Sequence, residues 1–186
     1  DKIVPGDYDG DGVTDHAVFR PATGVWYLFQ STAGIAGATW GLSSDVPVAA
    51  DYDGDGKTDI AVFRPSNGTW YVLRSTGGFS IVNWGLAEDR PVPGDYDGDG
   101  KSDIAIFRPS TSTWYVLQSS GGFTVNGFGT TGDKPVQGDY DGDGRTDRAI
   151  YRPSSGQWWL SRSTLGVTAI GFGVASDTPA PADFDS

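Results

Sequence analysis

The chain has 186 residues and a formal charge of −11 at pH 7, from 24 acidic and 13 basic side chains; a field of that sign repels nucleic acid and anionic lipid and favours cations. It has no cysteine, which excludes a disulfide framework and a thiolate metal site, and no 18-residue apolar run that would insert in a membrane. Gly (28) and Pro (11) make up about a fifth of the chain and aromatic residues 13 %, a composition of many short strands and tight turns whose buried area comes largely from Trp, Tyr and Phe.

Along the chain, one pattern recurs every 44 residues without an insertion. Asp7, Asp51, Asp95, Asp139 and Asp183 share one register, and so do the Arg-Pro pairs at Arg20, Arg64, Arg108 and Arg152. Trp26, Trp70, Trp114 and Trp158 follow, then Trp40, Trp84, Phe128 and Phe172, each of the last four followed by glycine. The repeats are 1–44, 45–88, 89–132 and 133–176, with a partial fifth at 177–186, and 1–186 reads as a single repeat domain. The absence of Met, even at position 1, predicts that the chain begins inside a longer precursor.

The second repeat shows the elements most clearly. Four strands are predicted: Val46–Asp51, Ile60–Arg64, Trp70–Ser75 and Phe79–Trp84, with hairpin signals at Asn67-Gly68 and Gly77-Gly78. Four antiparallel strands per repeat, apolar on both faces as in Ile60-Ala61-Val62-Phe63, are what a propeller blade sandwiched between two neighbours requires. The predicted fold is therefore all-β: four four-stranded propeller blades plus one extra strand, Pro179–Phe184. Four repeats allow a complete four-bladed ring, part of a ring of seven or eight blades, or a homodimer that closes a larger ring. His16 and Arg148 stand where repeats two and three have Ile60 and Ile104, which predicts that blades one and four face something other than an ordinary blade.

Between the first and second strands of each repeat lies D-Y-D-G-D-G-x-x-D, at 7–15, 51–59, 95–103 and 139–147. Carboxylates at loop positions 1, 3 and 5, with glycine at 6, match the start of a calcium-binding EF-hand loop. The ligand sets are Asp7, Asp9, Asp11, the Val13 carbonyl and Asp15; then Asp51, Asp53, Asp55, the Lys57 carbonyl and Asp59. The third and fourth are Asp95, Asp97, Asp99, the Lys101 carbonyl and Asp103, and Asp139, Asp141, Asp143, the Arg145 carbonyl and Asp147. Four carboxylates within nine residues repel one another unless a cation sits between them, so up to four structural Ca²⁺ per chain are expected. The loops hold 16 of the 24 acids, and four Ca²⁺ would take the charge from −11 to −3.

These residues resemble the FG-GAP repeat family, also described as VCBS-type repeats of bacterial surface and secreted proteins, including the calcium hairpins of integrin alpha-subunit propellers. Phe128-Gly129 and Phe172-Gly173 match the "FG" half, with Trp40-Gly41 and Trp84-Gly85 in its place earlier; the "GAP" half is replaced by Phe-Arg-Pro or Tyr-Arg-Pro. The resemblance implies a β-propeller with calcium in the hairpin of each blade and an extracellular or cell-surface location.

No enzyme is expected. The one histidine, His16, has no nucleophile elbow or cysteine beside it and reads as an edge or packing residue. Asp1, Asp45, Asp89, Asp133 and Asp177 read as turn aspartates, leaving Glu88 as the single non-repeated acid. The repeated arginines are expected to stack on an aromatic ring or pair with a loop aspartate between blades. The expected role is a calcium-stabilised binding or adhesion scaffold whose partners are glycans or another surface protein; a lectin, an accessory domain of a polysaccharide-degrading enzyme and a self-assembling fragment are the alternatives.

Overall fold

The computed structural model describes residues 1–180, so the predicted extra strand Pro179–Phe184 lies largely outside the described residues. Every regular element among the described residues is a strand. β1 (Lys2–Ile3), β2 (His16–Arg20), β3 (Val25–Gln30) and β4 (Gly34–Thr39) form the first blade; β5 (Val46–Pro47), β6 (Ile60–Arg64), β7 (Thr69–Leu73) and β8 (Phe79–Asn83) form the second. β9 (Arg90–Pro91), β10 (Ile104–Arg108), β11 (Thr113–Leu117) and β12 (Phe123–Gly127) make the third; β13 (Lys134–Pro135), β14 (Arg148–Arg152), β15 (Gln157–Arg162) and β16 (Gly166–Gly171) make the fourth. Each is an antiparallel meander in chain order, the content of a propeller blade. The blades group into two compact units, one holding the first two (1–87) and one the last two (from Glu88 onward).

The first strand of each blade is shorter than the sequence suggests. Val46 and Pro47 pair with Phe63 and Val62, the Val48 N–H donates to the Ala61 carbonyl at 2.9 Å, and Ala50 bridges Asp59, all in one register. The run keeps one register as far as the Ala50–Asp59 bridge, although only Val46 and Pro47 form regular strand.

Each blade is organised around its tryptophan. Phe19↔Trp26, Phe63↔Trp70, Phe107↔Trp114 and Tyr151↔Trp158 are cross-strand partners with ring centroids 5.2–5.6 Å apart. Each indole N–H donates to the carbonyl of the residue before the repeated glycine (Trp40, Trp84, Phe128, Phe172) at 2.8–3.0 Å, so the fourth strand's exit is tied to the third strand. Trp26, Trp70 and Trp114 are fully buried, and each contributes about 2–3 kcal/mol of transfer free energy.

Within each unit one blade packs on the next in the same way. Val62, with Ile60 and Tyr71 beside it, sits on Tyr8, Phe19, Trp26 and Leu28 of the first blade. Ile150, with Trp159, sits on Tyr96, Phe107, Trp114 and Val116 of the third. Arg148 departs from the expectation that a fourth-blade polar residue marks an uncovered face. Its guanidinium lies 5.8 Å from the Tyr96 ring centre and donates to Thr124 at 3.4 Å, inside the joint with the third blade. The amphipathic arginine stem fills the place of an isoleucine there. His16 is exposed, its ring 6.4 Å from Phe29.

Candidate metal centres

Each aspartate loop is closed at its base by a backbone bridge, Gly6↔Asp15, Ala50↔Asp59, Gly94↔Asp103 and Gly138↔Asp147. The loop tyrosine anchors it below. Tyr8, Tyr52, Tyr96 and Tyr140 donate their hydroxyls to the carbonyls of Val4, Val48, Val92 and Val136 at 2.6–2.9 Å. Burial pushes all four phenols up, that of Tyr140 to about 12. The glycines at loop positions 4 and 6, such as Gly54 (φ 80°) and Gly56 (φ 83°), take the left-handed conformation that turns the chain around the carboxylates.

The aspartates divide the work by position. Asp51 folds back on the loop, its two oxygens accepting the N–H groups of Gly54 (2.6 Å) and Gly56 (2.8 Å). Asp55 accepts the Lys57 N–H at 2.9 Å, the contact made likewise by Asp11 with Val13, Asp99 with Lys101 and Asp143 with Arg145. Asp59 is buried and accepts the Tyr52 and Ser75 N–H groups at 3.0 and 2.7 Å, fixing the loop to the start of the next hairpin.

Position 3 is the one that points to a cation. Asp9, Asp53, Asp97 and Asp141 each use Oδ2 as an acceptor, whereas Oδ1 is buried and has no hydrogen-bond partner in any of the four loops. A buried, unpaired carboxylate oxygen is costly unless a cation meets it. Three carboxylate oxygens converge within 4.8 Å at Asp7/Asp9/Asp15, Asp51/Asp53/Asp59, Asp95/Asp97/Asp99 and Asp139/Asp141/Asp147. Position 9 thus joins the cluster in three loops, while in the third it is position 5, Asp99. The all-oxygen donor set fits a hard divalent ion. Burial raises the carboxyls of Asp59, Asp103 and Asp147, with neighbouring aspartate charge adding to it, and a cation would reverse that penalty.

Hydroxyl groups that the sequence did not single out hold the loop aspartates from the next hairpin. Ser31, Ser75, Ser119 and Ser163 donate Oγ–H to the position-5 aspartates Asp11, Asp55, Asp99 and Asp143, and Thr32, Thr76, Ser120 and Thr164 donate theirs to the position-3 aspartates. These bonds hold Asp55 and Asp99 below the usual carboxylate range, with the serine hydroxyl as first cause. The signal was a Ser-Thr or Ser-Ser pair recurring at 44 residues, 16 beyond the last aspartate of each loop.

The repeated arginines are corrected in one respect. Arg64 stacks on Tyr71 (4.2 Å) and grips Asp45 with two bonds of 2.9 Å, so it pairs with the turn aspartate of its own blade and not with a metal-loop aspartate between blades. Arg108–Asp89 and Arg152–Asp133 repeat this, stacked on Tyr115 and Trp159. Asp45 also accepts the Leu42 N–H at 2.8 Å, the turn role expected of it.

The profile of the FG-GAP-like repeat matches residues 95–150 and that of the FG-GAP repeat matches residues 45–81, together half of the chain. The chain belongs to the FG-GAP repeat family. Comparison with curated proteins gives no match. Among solved structures, the fold is similar to a virginiamycin B lyase from Staphylococcus aureus (TM-score 0.59, 12 % identity, 90 % of this chain and 55 % of that one). It is similar also to a streptogramin B lyase (0.58, 10 %, 91 % and 53 %) and to an Agrocybe aegerita lectin specific for non-reducing terminal N-acetylglucosamine (0.58, 19 %, 92 % and 50 %). At these identities the likeness is one of fold. The FG-GAP chain spans about half the length of each of these structures.

Proposed function

We propose that this FG-GAP chain is a non-enzymatic propeller module, stabilised by one Ca²⁺ in each of four loops and acting outside the cell as a binding scaffold. The observation that carries the reading is the buried, unpartnered Oδ1 of Asp9, Asp53, Asp97 and Asp141, the same atom in every repeat. Asp7, Asp9 and Asp15, their counterparts in the second and fourth loops, and Asp95, Asp97 and Asp99 in the third would hold the ion through the carboxylate oxygens that already converge. What the ion supplies is charge neutralisation that ties the loop to two hairpins. Sites of this openness work at extracellular calcium, with affinities on the order of 10⁻⁴–10⁻³ M. The repeated sites carry like groups in like surroundings, which supports architecture over catalysis, since acid–base chemistry needs carboxylates of unlike environment. The similarity to a lectin makes glycans the first partner class to test, on an array.

Calcium binding to the folded chain alone adds to its stability by mass action. Four sites of that affinity at about 2 mM Ca²⁺ contribute about 3–7 kcal/mol per chain, a rise in Tm of roughly 10–20 °C over EDTA. Calorimetry in EDTA, Ca²⁺ and Mg²⁺ checks this, with titration giving the stoichiometry. An unchanged Tm in calcium would remove the reading.

A further inference from the structure

Within each unit the joint between its two blades has two halves; the first blade leaves an inserting half uncovered, and the fourth blade leaves a receiving half uncovered. In the first unit the second blade's loop threonine, Thr58, donates its N–H to the Asp7 carbonyl of the first blade at 2.6 Å. Gly6 makes room for it: a Cβ there would lie 2.7 Å from Thr58 Oγ1. Lys57 lies over Gly10 in the same joint. In the second unit Thr146 donates to the Asp95 carbonyl at 2.6 Å, Gly94 makes room for Thr146, and Arg145 lies over Gly98. A joint is thus a threonine and its preceding residue on one blade, seated on two glycines of the blade before, with an apolar face beneath.

On the first blade the receiving half is occupied, but the inserting half is open. Thr14 stands at the place of Thr58 and is exposed, and Val13, at the place of Lys57, is 54 % exposed. Below them an apolar hollow of about 610 Å³ is lined by His16, Val18, Tyr27, Phe29 and Ile35, with Phe29 61 % exposed. The fourth blade is open in the complementary sense. A Cβ at Gly138 would meet only the ring of its own blade's Tyr140, at 3.5 Å, and one at Gly142 would meet nothing within 4 Å. Trp158 is only half-buried where its three counterparts are fully buried, and Phe172 beside it is 75 % exposed.

We propose that a second copy of this chain covers these faces. The first blade of one copy seats Val13 and Thr14 on Gly142 and Gly138 of the other, repeating the Thr58–Gly6 and Thr146–Gly94 joints. Such a contact is head-to-tail, and head-to-tail contacts close into rings when the rotation permits. One chain spans 50–55 % of the length of the solved structures whose fold it shares, so two copies supply about the length of one of them. The oligomer is therefore a dimer with two such joints. This stands independently of the ion, because the joint uses backbone, glycine and apolar side chains.

The lack of native cysteine makes the test direct. In the two internal joints a glycine Cβ would lie 3.0–3.1 Å from the threonine Cβ, so cysteines there need shift by only about 0.7 Å to reach disulfide spacing. The doubly substituted full chain, Thr14→Cys with Gly138→Cys, is expected to oxidise in calcium to a covalent dimer on a non-reducing gel. Multi-angle scattering of the unmodified chain is expected to give twice 19.7 kDa. Phe29→Glu, which puts a charge into the open hollow at a position 61 % exposed in the single chain, is expected to give a folded monomer with its calcium-dependent Tm retained. A disulfide within one chain, no disulfide, or a ladder of longer oligomers would each overturn the two-copy ring.

Discussion

Arg20 and Arg64 hold their aspartates with the same two-pronged geometry in different surroundings. Asp45 is wholly buried and the Arg64 side chain is 19 % exposed, whereas Asp1 and Arg20 are 37 % and 43 % exposed. A fork on a buried carboxylate is worth more than one in water, because removing a prong leaves an unpaired buried oxygen. Arg64→Lys keeps the charge but loses the planar fork and much of the stack on Tyr71, and is expected to cost about 1–3 kcal/mol. Arg20→Lys, the same change at the exposed pair, is expected to cost less than about 1 kcal/mol. Urea unfolding of the two variants side by side checks the ordering; equal losses would mean that burial of Asp45 does not set the strength of the pair. At this scale the sequence showed the aspartate loops plainly, because sixteen carboxylates in four identical frames have few structural explanations. It hid the choice of partner for the arginines, since Asp45 is 19 residues from Arg64 and looks like any turn aspartate until the strands are paired.

The hairpin after each Arg-Pro shows how an element tolerates or refuses a side chain. In the second blade the turn ends on Gly68, at φ 64°, where an added Cβ would lie 2.1 Å from the Gly85 carbonyl oxygen. Gly24 and Gly156 are held alike, at 2.5 and 2.2 Å from the matching carbonyls. The third blade has Ser112 at this place, with φ 50°, and there the Phe128 N–H still reaches the Ser112 carbonyl at 3.0 Å. The third blade thus accommodates a buried side chain in a left-handed conformation that the others avoid. Gly68→Ala is expected to cost at least about 2 kcal/mol, from left-handed strain together with the clash. Ser112→Ala keeps a Cβ that this blade already accommodates and is expected to change stability by less than about 1 kcal/mol. Thermal melts of both variants test this, and a harmless Gly68→Ala would show that the strand exit at Gly85 gives way easily. The Asn67-Gly68 signal located the hairpin correctly, but only Gly68 adopts positive φ, so the turn is the longer Pro65–Gly68 connection. The Ser75-Thr76 pair is not legible in the sequence for a related reason: it belongs to the next hairpin, and only folding brings that hairpin over the aspartates.

For the whole molecule, the acidity belongs to the loops. Sixteen of 24 acids are confined to four nine-residue frames, so most of the acidity is concentrated at the loops. Charge of this kind is self-repulsive in the compact state and is relieved by a bound cation at its source. If each frame takes one divalent ion, +8 is added to −11 and the folded chain carries −3. Electrophoretic mobility at pH 7 follows net charge at fixed size, so saturating calcium is expected to lower it to roughly a third of the EDTA value or less. The same measurement in Mg²⁺, which keeps its own waters and demands tighter geometry, is expected to give a much smaller change. The size must be monitored in parallel, because two chains closed into one ring would alter friction and charge together. The decisive comparison is therefore between calcium concentrations at which the mass is constant. Asp→Asn at Asp9, Asp53, Asp97 and Asp141, added stepwise, each removes one ion and one carboxylate charge, so in saturating calcium each should make the net charge more negative by about one, and the mobility should rise accordingly. Each removes the carboxylate whose buried oxygen has no other partner. A variant lacking all four that still binds four ions would place the metal elsewhere in the loops.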